Sequence, residues 1–237
     1  MNDLQKMEQE KSVLRWGGLA GLLGGILHIL TVVVVLAGPV GGKEPADLEE
    51  WVIRFPDIRA ARIVENGLYL VALILGVILF LALYRALQRT NLAPALFGSV
   101  LGILGLVVLA AGALPHVATA PLSDLYHASG ATPADQAALA LMWQATWGIF
   151  DALLAVGFFV VTIGLIALGV AMLGAPAFGK GFGWVSVVLG VVGLAAAVSN
   201  IVDPASMIAA VTFFAIIIFQ LVLGWKVYSL SKAPRAS

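Results

Sequence analysis

The segment Asp135–Leu173, DQAALALMWQATWGIFDALLAVGFFVVTIGLIALGVAML, decides the fold class of this chain. After its opening residue it contains one carboxylate, Asp151, and no lysine or arginine. About 20 residues, each rising about 1.5 Å along a helix, cross a hydrocarbon layer about 30 Å thick. The segment therefore predicts a transmembrane helix, and an unbroken helix of this length would also project well outside the bilayer.

The composition of the whole chain supports a membrane protein. Of its 237 residues, 61% are hydrophobic and 11% are charged, and the mean hydropathy is +1.04. An ordinary soluble domain has roughly 25% charged residues. The formal net charge of zero gives no electrostatic reason to expect nucleic acid as a partner. The absence of cysteine excludes disulfides and thiolate ligands, and three histidines leave little for a multi-histidine metal centre.

Five further apolar runs flank the opening segment, so we predict an all-α, polytopic bundle of six transmembrane helices. A cytoplasmic arm, residues 1–15, precedes a single transmembrane domain, residues 16–230, and a cytoplasmic tail follows at 231–237. Outer loops are predicted at 38–57 and 115–132, the first carrying a short amphipathic helix that Pro56 ends. Thr132, Pro133 and Asp135 predict a capped helix start.

The positions of the cations predict the orientation. The segments on the side of both termini carry most of the lysines and arginines, whereas the other side has four, all in or just after the first loop. By the positive-inside rule, both termini lie in the cytoplasm and the protein resides in the plasma membrane. The four outer cations are Lys43, Arg54, Arg59 and Arg62.

Small residues predict how the helices pack. Gly17, Gly21 and Gly25 form a GxxxGxxxG ladder in the first span, and a second glycine stripe lies in the third span. Such surfaces let backbones approach closely where lipid provides no hydrophobic driving force between helices. Packing within the bundle is the simpler interpretation, and contact with a second copy or another membrane protein is the alternative.

A group of polar residues is predicted near the outer rim of the membrane. Ionisable side chains inside or beside the membrane are energetically costly to bury, so each of them suggests a functional role. One interpretation is an outward-facing polar cavity around Asp151 that binds a cation or polar ligand. The other is that helix ends meet water and headgroups there, where polar residues cost little. The candidates are Glu65, Asn66, His116, Gln144, Asp151 and Asp203.

His28 lies deeper, on the same helix face as Gly21 and Gly25, and so points at a neighbouring helix. A neutral imidazole hydrogen-bonded between helices is the simplest role, and a proton relay or ligand contact is the alternative. His116 lies about 12 Å higher by helical rise, which argues against a haem held by the pair. No cofactor and no metal are therefore predicted.

Standard catalytic motifs are absent from the sequence: it contains no GxSxG, HExxH or phosphate-binding GxxxxGK[ST] pattern. The hairpin Gly164–Leu194, GLIALGVAMLGAPAFGKGFGWVSVVLGVVGL, resembles a group of prokaryotic six-helix membrane proteins classed as a domain of unknown function. The resemblance implies a fold but no activity. We therefore expect a non-catalytic sensor, accessory subunit or module that binds lipid or a small ligand; the alternative is a small transporter or intramembrane enzyme.

Overall fold

The computed structural model of the protein describes residues 3–37, 48–202 and 208–232. These residues form six helices and no strand. All six are long and apolar enough to cross a membrane, which confirms the predicted all-α multi-pass bundle. The helices are α1 (Asp3–Ala37), α2 (Leu48–Leu87), α3 (Leu92–Tyr126), α4 (Pro133–Leu173), α5 (Gly179–Val202) and α6 (Ala209–Ser231).

The helices pack in a ring in chain order, and α6 returns to pack against α1. One end of the ring, the base, is where α2 passes into α3 and α4 into α5. Exposed aromatic side chains surround the bundle near this end, as expected where a helix crosses from hydrocarbon to headgroups. They are Trp16, Phe97, Trp184 and Trp225.

Glycines bring the helix backbones into close contact. A Cβ atom built on Gly164 would lie 2.6 Å from the backbone nitrogen of Gly102, across the α3–α4 interface. One built on Gly21 would lie 2.9 Å from the Cα of Gly224, across the α1–α6 interface. Gly17 and Gly25 are also buried against α2 and α6. The predicted ladder thus packs within the chain. The partner predicted through Gly17, Gly21 and Gly25 stays a prediction.

Helices α2, α3 and α4 are far longer than a bilayer needs. Their 40, 35 and 41 residues correspond to about 50–60 Å of helix. Counting one membrane crossing from the base leaves residues 48–64, 115–126 and 133–149 as a three-helix extension beyond the membrane. It has a hydrophobic core of its own, formed by Val52, Phe55, Ile58, Leu122, Tyr126 and Trp143.

The described residues of two predicted loops are mostly helical. In the outer loop predicted at 38–57, a short helix was expected to end at Pro56. Instead, α2 continues through that residue. Proline removes the hydrogen bond to the carbonyl four residues earlier, that of Val52. The hydroxyl of Ser123 donates a hydrogen bond to this carbonyl, at 3.5 Å. The loop predicted at 115–132 is likewise helical as far as Tyr126, through Pro115 and Pro121. Residues 38–47 of the first loop lie outside the described part of the chain.

The start of α4 agrees with its prediction. Thr132 is the N-cap: its hydroxyl accepts a hydrogen bond from the backbone N–H of Asp135, while the Asp135 carboxylate accepts one from the N–H of Thr132. This reciprocal capping box satisfies N–H groups that a helix start leaves without partners. From there α4 runs unbroken to Leu173, so it projects from the membrane as part of the extension.

Candidate functional site

A cavity of about 450 Å³ lies inside the ring, at the end that faces the extension. Its volume falls within the range of roughly 300–1,000 Å³ that is typical of small-molecule sites. Five of the six helices form its walls. The lining residues are Thr31, Val32, Val35 and Leu36 of α1, Glu65, Asn66 and Tyr69 of α2, His116 of α3, Phe150, Leu154 and Phe158 of α4, and Ala210, Phe213 and Phe214 of α6.

Most of the wall is aliphatic or aromatic, and the polar groups are few. Counting the helical rise from Leu87, Tyr69 lies about 27 Å above the base, so the cavity occupies the half of the membrane next to the extension. The side chains of Leu36 and Phe214, which line it, are 73% and 48% exposed. Exposed side chains of α1 and α6 therefore border the cavity.

His116 forms the polar end of the cavity together with Asn66. The imidazole Nδ1 lies 3.0 Å from Oδ1 of Asn66, and its ring stacks on Phe150 with ring centroids 4.2 Å apart. With the Asn66 amide oxygen placed as the acceptor, Nδ1 carries the proton and Nε2 is left as an acceptor. This Nε2 is buried and has no hydrogen-bond partner among the described residues.

Tyr69 presents a second polar atom of this kind. It lies one helical turn from Asn66 on the same face of α2 and also lines the cavity. Its hydroxyl is buried and, within the part of the chain that the structure describes, unpartnered. A buried polar group without a hydrogen bond costs about 1–3 kcal/mol. Both atoms have almost no accessible surface, so neighbouring side chains cover them beside the cavity.

The charged groups at the cavity neutralise each other. Arg62 donates a hydrogen bond from Nη1 to Oε2 of Glu65 at 2.8 Å, and the two side chains are only 13% and 12% exposed. The guanidinium also lies over the rings of Trp51 and Trp147, with its carbon 5.8 and 5.6 Å from their centroids. These contacts fix both partners, so the cavity wall carries no net charge from this pair.

A much smaller chamber of about 10 Å³ adjoins the cavity on the side of the extension and shares Asn66 and His116 with it. Its size is about that of one water molecule. The indole N–H groups of Trp143 and Trp147, which also line it, are buried and unpartnered within the described residues. The chamber thus has the volume to hold one water molecule.

His28 lies deeper in the bundle and is fully buried. Its Nδ1 is 2.8 Å from Oε1 of Gln220 on α6, and the Gln220 amide also donates to the carbonyl of Ala72 on α2, at 3.4 Å. One glutamine therefore joins three helices. The His28 ring meets Tyr69 and Phe213 edge to face, with centroids 5.8 and 5.1 Å apart, so it supports two residues of the cavity wall from behind.

The structure brings three of the predicted rim residues together at the cavity: Glu65, Asn66 and His116. Gln144 and Asp151 are exposed on α4 and are not among the residues that line it. Asp203 lies outside the described residues. Residues 3–37, 48–202 and 208–232 contain no group of three or more histidine, aspartate or glutamate side chains arranged to hold a metal ion.

Sequence reasoning did not identify Tyr69, Arg62 or the phenylalanines of α4 and α6. The spacing of three between Asn66 and Tyr69 was a usable signal, because it places both on one face of α2. The sequence did not indicate the apolar wall, because phenylalanine is as common on a helix face toward lipid as on one toward a cavity.

One comparison with known proteins gives a match. The family model DUF4386, a domain of unknown function, covers residues 61–225. The chain belongs to this family. This membership confirms the resemblance to a domain of unknown function that the hairpin Gly164–Leu194 indicated. The DUF4386 region includes the cavity residues of α2, α3, α4 and α6, whereas the α1 wall precedes it. No curated protein and no solved structure matches the chain.

Proposed function

We propose that this DUF4386 protein is a non-catalytic membrane module that binds a lipid or another small amphiphilic molecule in the 450 Å³ cavity. The observation that carries the proposal is a cavity of small-molecule size whose wall is mostly apolar and includes a few polar residues, Asn66, Tyr69 and His116 among them. A concave apolar site with a few polar groups that fix orientation is the usual form of a small-molecule site.

The surroundings of the cavity support binding rather than catalysis. Among the described residues of its wall, the Glu65 carboxylate is held by Arg62 and the His116 imidazole by Asn66. Nucleophilic catalysis by a side chain needs a nucleophile and a base within hydrogen-bond reach of each other. The part of the wall that the structure describes holds no nucleophile and base within hydrogen-bond reach of each other, and the exposed side chains of α1 and α6 at its border suit a ligand that enters from the bilayer.

We also propose that the protein lies in the plasma membrane with both termini in the cytoplasm. Cations cluster at the base, and Arg85 and Arg89 lie 3.8 and 3.5 Å from the carboxylate of Glu10 on α1. The extension then faces outward. Because the chain contains no cysteine, single cysteines test this directly. A membrane-impermeant maleimide added to intact cells should label Gly130→Cys between α3 and α4, and not Ala177→Cys at the base.

Native mass spectrometry of protein purified in mild detergent tests the binding function. We expect the wild type to carry close to one amphiphile per chain. Val32 lines the cavity, whereas Val33, the next residue, is 51% exposed on the outside of α1. Val32→Trp should fill the cavity and remove the bound mass, while Val33→Trp should retain it. A wild type without a bound molecule, or equal binding by both folded variants, would contradict the proposed function.

A further inference from the structure

Two cations lie on opposite sides of the seam between α1 and α6, at the base of the bundle. Successive glycines of α1 contact successively earlier residues of α6, so the two helices run antiparallel: Gly18 meets Tyr228, Gly21 meets Gly224 and Gly25 meets Leu221. Arg15 lies three residues before Gly18, and Lys232 lies four residues after Tyr228. In this register the two cations are within one residue of the same height, one on each helix.

Tyr228 is the side chain that both cations share. The Nζ atom of Lys232 lies 4.4 Å from the centroid of the Tyr228 ring. Arg15 lies close enough to Tyr228 to interact with its phenol group electrostatically. Arg15 and Lys232 are exposed, and Tyr228 is partly exposed. Two positive charges and a hydroxyl group, drawn from two helices, therefore meet at one accessible place and offer hydrogen-bond donors to an anion.

The protein does not neutralise these two charges. Neither Arg15 nor Lys232 forms an ion pair with a carboxylate that the structure describes. Glu10 is directed to the arginines of α2, and Glu8 lies seven residues, about 10 Å, beyond Arg15 along α1. Helix α6 contains no acidic residue. The positive-inside rule explains cations at this end of the bundle, but it does not require two of them to converge on one tyrosine.

The surroundings of the two cations belong to the level of the lipid headgroups. Trp225 lies one helical turn from Tyr228 toward the membrane, with ring centroids 6.4 Å apart, and it is exposed. Indole rings favour the boundary between hydrocarbon and headgroups. Farther from the base, Leu23 of α1 and Ile218 of α6 are exposed to lipid. A phosphate at the seam would thus have its acyl chains beside apolar surface of the same two helices.

We propose that the base of the α1–α6 seam binds an anionic phospholipid, such as phosphatidylglycerol, whose phosphate lies between Arg15 and Lys232 and accepts a hydrogen bond from Tyr228. Basic groups at the membrane-facing ends of helices recognise acidic headgroups in this way. Phosphatidylcholine carries its own ammonium beside the phosphate and gains less from the two cations. The site lies at the opposite end of the bundle from the cavity and does not depend on the proposed function.

Native mass spectrometry tests the site. The protein in mild detergent is titrated with phosphatidylglycerol or with phosphatidylcholine of identical acyl chains, and we expect the wild type to bind phosphatidylglycerol more tightly. Arg15→Gln and Lys232→Gln should each weaken binding of phosphatidylglycerol about fivefold, because each removes one cation from the headgroup. Neither change should alter the affinity for phosphatidylcholine.

Two kinds of control separate this site from general charge at the base. Lys180 is an exposed cation at the start of α5, whose described residues do not pack against α1. Lys180→Gln removes the same charge from the same end of the bundle and should leave both affinities unchanged. Arg15→Lys and Lys232→Arg keep the charge at the seam and should retain the preference for phosphatidylglycerol.

Three results would overturn the inference. Equal affinity for the two lipids, or equal loss in Lys180→Gln and Lys232→Gln, would mean that charge at this end acts diffusely and not through a site. Displacement of the lipid by inorganic phosphate would mean that the seam binds a free anion and not a lipid. Val32→Trp fills the cavity and should leave binding of phosphatidylglycerol unchanged. Loss of binding in this variant would place the lipid in the cavity, which contradicts the seam site and supports the proposed function.

Discussion

Replacing Gln220 by methionine removes the hydrogen bonds that join α6 to α1 and α2 but preserves the length of an unbranched side chain. The Gln220 side chain is 1% exposed and lies among the glycines of the neighbouring helices. A Cβ built on Gly76 would be 2.6 Å from its Nε2, and one on Gly24 would be 3.4 Å away. Methionine fits this space, so the change isolates hydrogen bonding from packing.

The magnitude follows from what the substitution leaves behind. His28 Nδ1–H loses its acceptor at 2.8 Å in a fully buried position, which in water-soluble proteins costs about 1–3 kcal/mol. Hydrogen bonds between membrane helices average only about 0.6 kcal/mol, because the unfolded chain in the membrane also finds partners. The second hydrogen bond, to Ala72, is long at 3.4 Å and adds little. We therefore expect Gln220→Met to lower the free energy of unfolding by about 1–2 kcal/mol.

A double-mutant cycle with His28→Phe measures the coupling, since phenylalanine keeps the edge-to-face contact with Phe213. Unfolding in bicelles by steric trapping supplies the free energies. The coupling should be about 1 kcal/mol, and Gln144→Met, an exposed glutamine on α4, should change stability by less than about 0.5 kcal/mol. A Gln220→Met effect no larger than that of Gln144→Met, with zero coupling, would refute the hydrogen-bonded junction.

Three further changes test the packing and the extension. Gly164→Ala places a Cβ 2.6 Å from the Gly102 backbone and should destabilise the protein by about 1–3 kcal/mol. A Cβ at Gly148 meets nothing within 4 Å, so Gly148→Ala is the control and should not destabilise it. Equal melting temperatures of the two variants would contradict this prediction. Thr132→Ala removes the N-cap of α4 and should cost about 1 kcal/mol, seen as faster hydrogen exchange in its first turn. Breaking the exposed Arg59–Asp124 pair, whose atoms are 2.7 Å apart, should change thermal stability by less than about 1 kcal/mol; a larger loss would mean that the pair holds the extension together.

The sequence was sufficient to predict the six spans. Each span needs about 20 apolar residues, and few other structures contain so long an apolar run. The start of α4 was equally predictable, since Thr132, Pro133 and Asp135 carry a capping pattern that acts locally. The α2–α4 extension was not fully predictable. Pro56 normally ends a helix, and only the approach of Ser123 from another helix supplies a hydrogen bond to the freed carbonyl.

The candidate site was predictable only in its polar half. Glu65, Asn66 and His116 stand out because polar residues near the membrane are rare. Their depth along the helices placed them at one level, and the structure brings them together. Asp151 has the same depth, but the rotation of α4 exposes it. Rotation and the shape of an apolar wall depend on packing against all neighbouring helices, which local sequence does not encode.

Crystals of the protein grown in a lipid mesophase and soaked with a dodecanol brominated on its terminal carbon test the central claim most directly. Anomalous scattering locates the bromine independently of the rest of the ligand. With the headgroup at the polar end of the cavity, the bromine should lie inside the ring, against Phe158 or Phe213 of the apolar wall. Bromine found only on the lipid-facing outside of the bundle would contradict the claim that this cavity is a binding site.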